Sequence, residues 1–333
     1  MRASAPEGIS SVGITALGIV YLGIRPWSTA NSVTLDPIKR TICSLSLLAA
    51  LAGPSWPQAL ELRNSAGIEI SVEAADSDPA LLVTVPDGLQ TAPSGKILFP
   101  EHVTVRAHGH ADAQHLYLYR PGRHGNRPHW TKRGDALEYE SEFKGIHFLA
   151  RASLAADGIV FRYEFANRSS VDYDMITAIT DPRFQAVFYD PRLERTYVHH
   201  KDGFALLASE TPARLTMPLA NWFPLRYLAS FTAPIPTERV QHRADGMTYY
   251  YNSRAVDLPM LATLSADRAW VEATFSRNSA NVWTNPELTC QHADPERALA
   301  HGARAAYEVK ILIFGGTLDE ALSKVRAQRG SLR

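Results

Sequence analysis

The chain has 333 residues, with 34 Lys and Arg against 34 Asp and Glu, 45% apolar side chains and two cysteines. This balance excludes the basic excess expected of a nucleic-acid binder, and no like-charge block marks an acidic or basic tail. A chain of this length buries a sizeable core without disulfide staples.

Lys39 and Arg40 stand directly before a short apolar run, Thr41 to Gly53, which leads through Pro54, Trp56 and Pro57 to Ala59. A basic start, a short apolar centre and a small residue at the cut is the layout of a secretory signal. The run is too short for a membrane span, which needs about 20 apolar residues, and the prolines end any helix at once. A second short apolar run, Val12 to Ile24, also falls short of a span. The expectation is an exported protein, secreted or periplasmic. Residues 1–59 form an N-terminal extension and secretory signal, with a true translation start near Val33 and cleavage near Ala59. No stable membrane span is expected in the mature chain. Cleavage removes Cys43 and leaves Cys290 as the only thiol.

From Leu60 the sequence reads as strand almost to its end. Strands are expected at Ile68–Glu73, Leu81–Val85, His102–Ala107 and His115–Tyr119. His108, His110 and His115 cluster here, although Gly109 argues for a loop. The stretch Arg120–Asp135 is basic, carries His124, His129 and Trp130, and reads as a long loop, either functional or simply solvated. Ile146–Leu154 and Gly158–Ala166 follow as a hairpin around Ala156-Asp157-Gly158. The second strand is the clearest in the chain. Ile159, Phe161, Tyr163 and Phe165 fall on one face, and Val160, Arg162 and Glu164 on the other, a period of two. Asn167-Arg168-Ser169-Ser170 reads as a turn. Later strands are expected at Asp172–Thr180, Thr196–His200, Phe204–Ala208, Met247–Tyr251, Leu261–Ser265, Trp270–Phe275 and Ala306–Phe314. Thr317–Gln328 is predicted to be a helix, with Leu318, Ala321, Leu322 and Val325 at helical spacing. Thr317 and Glu320 supply its capping box, and Gly330 follows its end. Many short strands separated by turn residues predict an all-β fold. The expected form is a large twisted antiparallel β-sandwich, a single domain over residues 60–333, with one C-terminal helix.

Two segments resemble the galactose mutarotase-like family. Phe143 to Arg168 (FKGIHFLARASLAADGIVFRYEFANR) is similar to the family's paired strands that end in an Asn. His301 to Leu318 (HGARAAYEVKILIFGGTL) is similar to its closing strand, with His301-Gly302 in place of the preceding turn. The resemblance implies a sandwich of two broad sheets, and sugar ring opening by a histidine acid and a glutamate base. The chain departs from the family at both catalytic places. Where the first histidine is expected it reads Ala178-Ile179-Thr180-Asp181-Pro182-Arg183-Phe184. Before the closing strand it reads Asn285-Pro286-Glu287-Leu288-Thr289-Cys290-Gln291-His292. There Glu287 holds the glutamate's place, or His292 has taken a different role. Fold does not dictate chemistry.

Three polar groups are candidates for chemistry. The densest is Asp190, Arg192, Glu194, Arg195, Tyr197, His199, His200 and Lys201. In a strand, Tyr197 and His199 share one face, and an imidazole there moves protons near neutral pH; a solvated sheet face is the alternative. The second runs from Trp283 to His292. Its Cys290-x-His292 pair offers two metal ligands, which at that spacing is weak evidence for a metal, and a buried Cys more often behaves as a small apolar residue. The third is Asn221-Trp222-Phe223-Pro224-Leu225-Arg226-Tyr227. There the planar donor fork of Arg226 suits a carboxylated or hydroxyl-rich ligand, or stacks on Trp222. No P-loop, dinucleotide fingerprint, nucleophile elbow or His-Glu-x-x-His occurs.

The sequence therefore predicts an exported carbohydrate-active or carbohydrate-binding protein, with a carbohydrate ligand, no nucleic-acid partner, no cofactor and no metal. As an enzyme of epimerase-like, isomerase chemistry it would use His199 and His292 for proton transfer, with Tyr197 as helper. Arg195, Arg226, Asn285 and His200 would bind oxygens, and Trp222 or Trp283 would stack the ring. The alternatives are a non-catalytic sugar-binding module and a polysaccharide lyase acting on uronates. The enzymatic readings require His199, His292 and Arg226 to meet in one hollow, because acid and base must both reach the substrate.

Overall fold

The computed structural model describes residues 60–72, 79–85, 94–120, 125, 127–211, 225–242, 248–285 and 290–333. The expected signal and its cut near Ala59, together with His124, Trp222 and Glu287, lie outside the described residues.

The described strands begin with β1 (Glu61–Arg63), β2 (Glu69–Val72), β3 (Ala80–Thr84), β4 (Gly95–Leu98), β5 (Val103–Ala107) and β6 (Gln114–Leu116). Next come β7 (Thr131–Arg133), β8 (Ala136–Phe143), β9 (Ile146–Ala155), β10 (Gly158–Asn167), β11 (Tyr173–Ala178) and β12 (Asp181–Phe184). After β13 (Thr196–His200) and β14 (Gly203–Leu206) a short helix, α1 (Leu207–Glu210), intervenes. The chain continues with β15 (Leu225–Ser230), β16 (Arg239–His242), β17 (Thr248–Asn252), β18 (Met260–Leu264) and β19 (Trp270–Ser276). It closes with β20 (Asn281–Asn285), β21 (Cys290–His292), β22 (Arg297–Leu299), β23 (Arg304–Gly315) and the helix α2 (Leu318–Gln328).

One nine-stranded sheet, β14-β13-β18-β19-β23-β10-β9-β8-β7, forms the base of the sandwich. Three smaller sheets face it: β1-β2-β3-β4-β12, β22-β11-β5-β6 and β16-β17-β15-β20-β21. The described pairings are antiparallel, apart from β15 beside β17. The protein is thus an all-β sandwich closed by a C-terminal helix.

The period of two in β10 is what builds the main core. Ile159, Phe161, Tyr163 and Phe165 are all buried, against Leu81, Ile97, Val103 and Ile176 from the facing sheets. Phe161 lies 4.9 Å from Phe99, and Tyr163 lies 5.3 Å from Tyr307, ring centre to ring centre. These two phenols are satisfied: Tyr163 Oη meets Thr180 Oγ1 at 2.8 Å, and Tyr307 Oη donates to the Ala178 carbonyl at 2.7 Å. A polar tip with a partner is the usual condition for burying tyrosine. At the start of β10 only glycine fits, since a Cβ on Gly158 would sit 1.9 Å from the Ile311 carbonyl oxygen. The neighbouring Asp157 accepts from Lys310 Nζ at 2.6 Å and Gln328 Nε2 at 2.8 Å, which ties the hairpin to α2.

A second core fills the space between β13 and β18 on one side and β15, β17 and β20 on the other, with Val198, Leu261, Tyr227, Ala229, Tyr250 and Val282. The third lies on the opposite face of the nine-stranded sheet, where Met260, Ala262 and Phe275 meet Ala321 and Val325 of α2. The predicted helix and its capping box are present as read, with the Thr317 side chain on Glu320 N–H and the Glu320 side chain on Thr317 N–H.

Three expectations need correction. His115–Tyr119 is strand only to Leu116, where β6 ends. Phe204–Ala208 is strand only to Leu206, because Leu207 opens α1. The loop expected over Arg120–Asp135 ends early, because Thr131–Arg133 pairs with β8. The strand β8 is hidden in the sequence because Glu138 is buried among its apolar residues. Arg133 Nε and Arg151 Nη2 each approach its carboxylate at 2.7 Å, the pairing a buried charge requires.

Candidate functional site

The outward face of the small sheets carries an open cleft of about 380 Å³. Its walls come from both sides: His102, Thr104, His115, Tyr117, Met175, Thr177 and Ile179 from the β5, β6 and β11 region, and Arg226, Leu228, Tyr249, Trp283 and Glu296 from the other. Strand alternation decides which side chains arrive there. In β15, Tyr227 and Ala229 point into the second core, so Arg226 and Leu228 point out. In β20, Val282 points in and Trp283 out. In β21, Gln291 turns inward, donating from Nε2 to Thr263 Oγ1 at 2.7 Å, so His292 turns outward.

Sheet order then makes a ladder. Arg226 pairs in register with Tyr249, and Trp283 with His292. The Arg226 guanidinium carbon lies 5.6 Å from the Tyr249 ring centre and 4.7 Å from that of Trp283. The His292 imidazole lies 3.5 Å from Trp283 at an interplanar angle of 9°. Since β20 runs between β15 and β21, the Trp283 indole is held between guanidinium and imidazole. Its edges, not its faces, are left for the cleft. The ring stacking expected of Trp283 is therefore not available in this arrangement.

Below the ladder lies a buried ionic network. His292 is 1% exposed, with Nε2 3.6 Å from Asp181 Oδ1 and Nδ1 3.7 Å from Asp294 Oδ2. Both ring nitrogens and both of those oxygens lack a hydrogen-bond partner. Asp181 Oδ2 is held by Arg183 Nε at 2.7 Å, and Arg183 Nη2 reaches Glu101 Oε1 at 3.2 Å. Glu101 Oε2 in turn lies 3.2 Å from His102 Nδ1 in the cleft wall. Polar contacts thus run from His102, through Glu101, Arg183 and Asp181, to His292.

Burial sets the proton affinities in this network. It pushes Asp181 up to about 6, with the negative charge of Glu101 adding to it and Arg183 opposing it. It pushes Asp294 up to about 8, against a hydrogen bond from Thr180. It drives His292 well below the usual imidazole value and the Cys290 thiol well above its own. Glu101 goes the other way. Burial raises it, but the hydrogen bond and charge of His102, with His292 and Arg183, overcome this and hold it at about 2. His292 is therefore a neutral ring at ordinary pH, and Glu101 a carboxylate.

The other residues singled out in the sequence lie elsewhere. Tyr197 packs with Phe204 against the core that receives α2, on the opposite face of the nine-stranded sheet from Val198 and the second core. His199 shares that face, 4.9 Å from the Phe204 ring, with Nδ1 2.5 Å from Asp257 Oδ1. The nine-stranded sheet and the second core separate both residues from Arg226 and His292, so the common hollow does not form. Arg195 directs its guanidinium at backbone, Nη1 donating to Val187 O at 3.0 Å and to Leu264 O at 2.6 Å. It has little left to offer a ligand. His200 donates from Nδ1 to Ala255 O at 2.6 Å, beside a separate depression formed with Lys201, Asp202 and Arg254. Asn285 is buried, with its backbone N–H on Cys290 Sγ at 3.3 Å. Of the histidine cluster, His115 reaches the cleft, with Nδ1 2.9 Å from Thr104 Oγ1, while His108 pairs with Asp174 at the surface.

Sequence reasoning missed Glu101, His102, Asp181, Arg183, Asp294 and Glu296. The one local sign was Asp181-Pro182-Arg183, two opposite charges at strand spacing.

No protein-family model matches the chain, and no curated protein does. Among the described residues, no helix is long and apolar enough to cross a membrane. Solved structures with a similar course include a putative aldose 1-epimerase from Escherichia coli K12, at 13% identity over 78% of this chain and 99% of that one, with a TM-score of 0.41. A galactose mutarotase related enzyme from Lactobacillus acidophilus has 8% identity over 78% of this chain and 98% of that one, with a TM-score of 0.44. A galactose mutarotase-like protein from Lactobacillus casei has 12% identity over 77% of this chain and 100% of that one, with a TM-score of 0.43. The chain is weakly similar to galactose mutarotase-like and aldose 1-epimerase-like structures.

Proposed function

We propose that the cleft binds a carbohydrate, and that it favours an acidic sugar such as a uronate. The observation that carries this reading is Arg226. Its guanidinium is fixed between two aromatic rings at the cleft, and its buried Nε has no protein partner. A planar fork held in place suits a carboxylate or a pair of hydroxyls. Thr104, Thr177, His102 and His115 offer donors and acceptors for further hydroxyls, and Met175, Ile179 and Leu228 offer apolar surface to ring C–H groups. Ligand sites of this kind combine apolar walls with a few placed polar groups. His292 acts from beneath, holding Trp283 and through it Arg226.

A second reading, acid–base catalysis in the same cleft, is favoured by the approach of Glu101 to His102 Nδ1. A carboxylate there fixes an imidazole's tautomer and leaves its other nitrogen for substrate. One binding and turnover series separates the two, using uronate and neutral oligosaccharides. Arg226→Gln is expected to weaken uronate binding about 10- to 100-fold, the loss of a hydrogen bond to a charged group. Trp283→Ala is expected to weaken it less. His102→Gln is expected to abolish any turnover while weakening binding no more than the loss of one neutral hydrogen bond, about tenfold. Binding unchanged in Arg226→Gln would remove the cleft as the site, and turnover that survives His102→Gln would remove the catalytic reading.

Export belongs to the same proposal. N-terminal sequencing of protein from the growth medium or periplasm is expected to begin near Leu60. A mature chain that begins before Lys39 would contradict it.

A further inference from the structure

We propose that Asp181, Cys290 and His292 bind a divalent transition-metal ion of the zinc type. One donor atom from each lies within 4.8 Å of the others, and all three residues are buried. A carboxylate, a thiolate and an imidazole are the donor set that zinc selects. The Cys290-x-His292 pair is one ligand short by itself, and β12, which runs beside β21, supplies the third. A tetrahedral ion with bonds of about 2.0–2.3 Å sets its ligands roughly 3.3–3.8 Å apart. The 3.6 Å between His292 Nε2 and Asp181 Oδ1 already falls in that range. The sulfur needs to draw in by no more than about 1 Å.

A second observation is independent of that spacing. Asp181 Oδ1 and His292 Nε2 are buried and face each other with no hydrogen-bond partner. Two such atoms are costly to leave without one, and an ion between them satisfies both. The Trp283 stack covers the face of the His292 ring and leaves its in-plane lone pair for the ion.

Asp181 and Cys290 have the hydrogen-bonded outer partner that a metal site calls for, and His292 has a carboxylate nearby. Asp181 presents Oδ1 while Arg183 fixes Oδ2. His292 presents Nε2 while Nδ1 faces Asp294 Oδ2 at 3.7 Å, and Asp294 Oδ1 is anchored by the Thr180 N–H at 2.9 Å. Cys290 Sγ accepts the Asn285 N–H at 3.3 Å. Binding releases the Cys290 proton to solvent, and no electrons move.

The test is cobalt(II) titration of full-length mature protein, stripped with chelator and free of any tag. The expected result is one equivalent bound, with a thiolate-to-cobalt charge-transfer band in the near ultraviolet and the intense visible bands of a tetrahedral ion, both displaced by zinc. Cys290→Ser is expected to lose the charge-transfer band, and Asp181→Asn to bind cobalt at least about tenfold more weakly. If either variant misfolds, the wild-type spectrum still decides. No band in the wild-type protein, binding unchanged in both variants, or several weak equivalents without thiolate character (an adventitious ion only) would each overturn the proposal.

Discussion

Between about pH 4.5 and 8 the wild-type protein is expected to lose stability that a Glu272→Gln variant keeps. Glu272 sits in β19 between the two layers, 1% exposed. Thr274 Oγ1 donates to it at 3.0 Å, and Gln291 Nε2 also donates to its carboxylate. Burial raises its proton affinity from 4.5 to about 8, with the Thr274 hydrogen bond opposing the rise. Because the folded value is the higher, the folded state holds the proton through a window in which the unfolded chain has released it. Stability is therefore full below the unfolded value, falls as pH rises, and the contribution is gone above the folded value. A shift of this size corresponds to something on the order of 5 kcal/mol across the window. Glutamine has nearly the same shape and does not titrate. Denaturant midpoints of both proteins at several pH values check this, and parallel curves would contradict the assigned burial of an acidic proton at position 272.

Phe161→Ala is expected to destabilise the protein by about 3–5 kcal/mol, the usual range for removing a buried aromatic ring. The side chain is 0% exposed, and its ring lies among those of the main core, nearest Phe99 at 4.9 Å. It joins β10, at the middle of the nine-stranded sheet, to the small sheets above it, so the void cannot be closed by a shift of one loop. In a domain of this size such a loss lowers the melting temperature by roughly 10 °C. Calorimetry or chemical denaturation measures it. A loss under about 1 kcal/mol would mean that the two layers do not pack through this ring.

Elements were legible in the sequence where burial follows the backbone period. In β10 every second residue is apolar, and nothing else in the stretch competes. The helix α2 announces itself by spacing and by its capping box. Strands were hidden where the buried face carries charge or the strand carries proline. Glu138 interrupts β8 because two arginines neutralise it from neighbouring strands. Asp181-Pro182-Arg183 was not among the expected strands, yet forms β12 at the edge of its five-stranded sheet, where a missing N–H is tolerated.

The candidate site was half legible for a related reason. Arg226, Trp283 and His292 stand out as residue types, and strand alternation does place all three on the outward face. What no local reading supplies is the order of strands, and that order decides that Trp283 lies between the other two. Local crowding also misled. Arg195, His199 and His200 are close together in sequence, but their side chains are tied to Leu264 O, Asp257 and Ala255 O respectively. The network of Glu101, Asp181 and His292 joins residues far apart in the chain, and only the approach of β12 to β21 reveals it.

The most direct test of the central claim is a crystal structure of the mature protein with a bound uronate oligosaccharide. The expected complex has the sugar carboxylate within hydrogen-bond distance of the Arg226 guanidinium, with hydroxyls near His102 and Thr104. A sugar seated instead beside His200 and Arg254, or on the face that carries Tyr197 and His199, would contradict it.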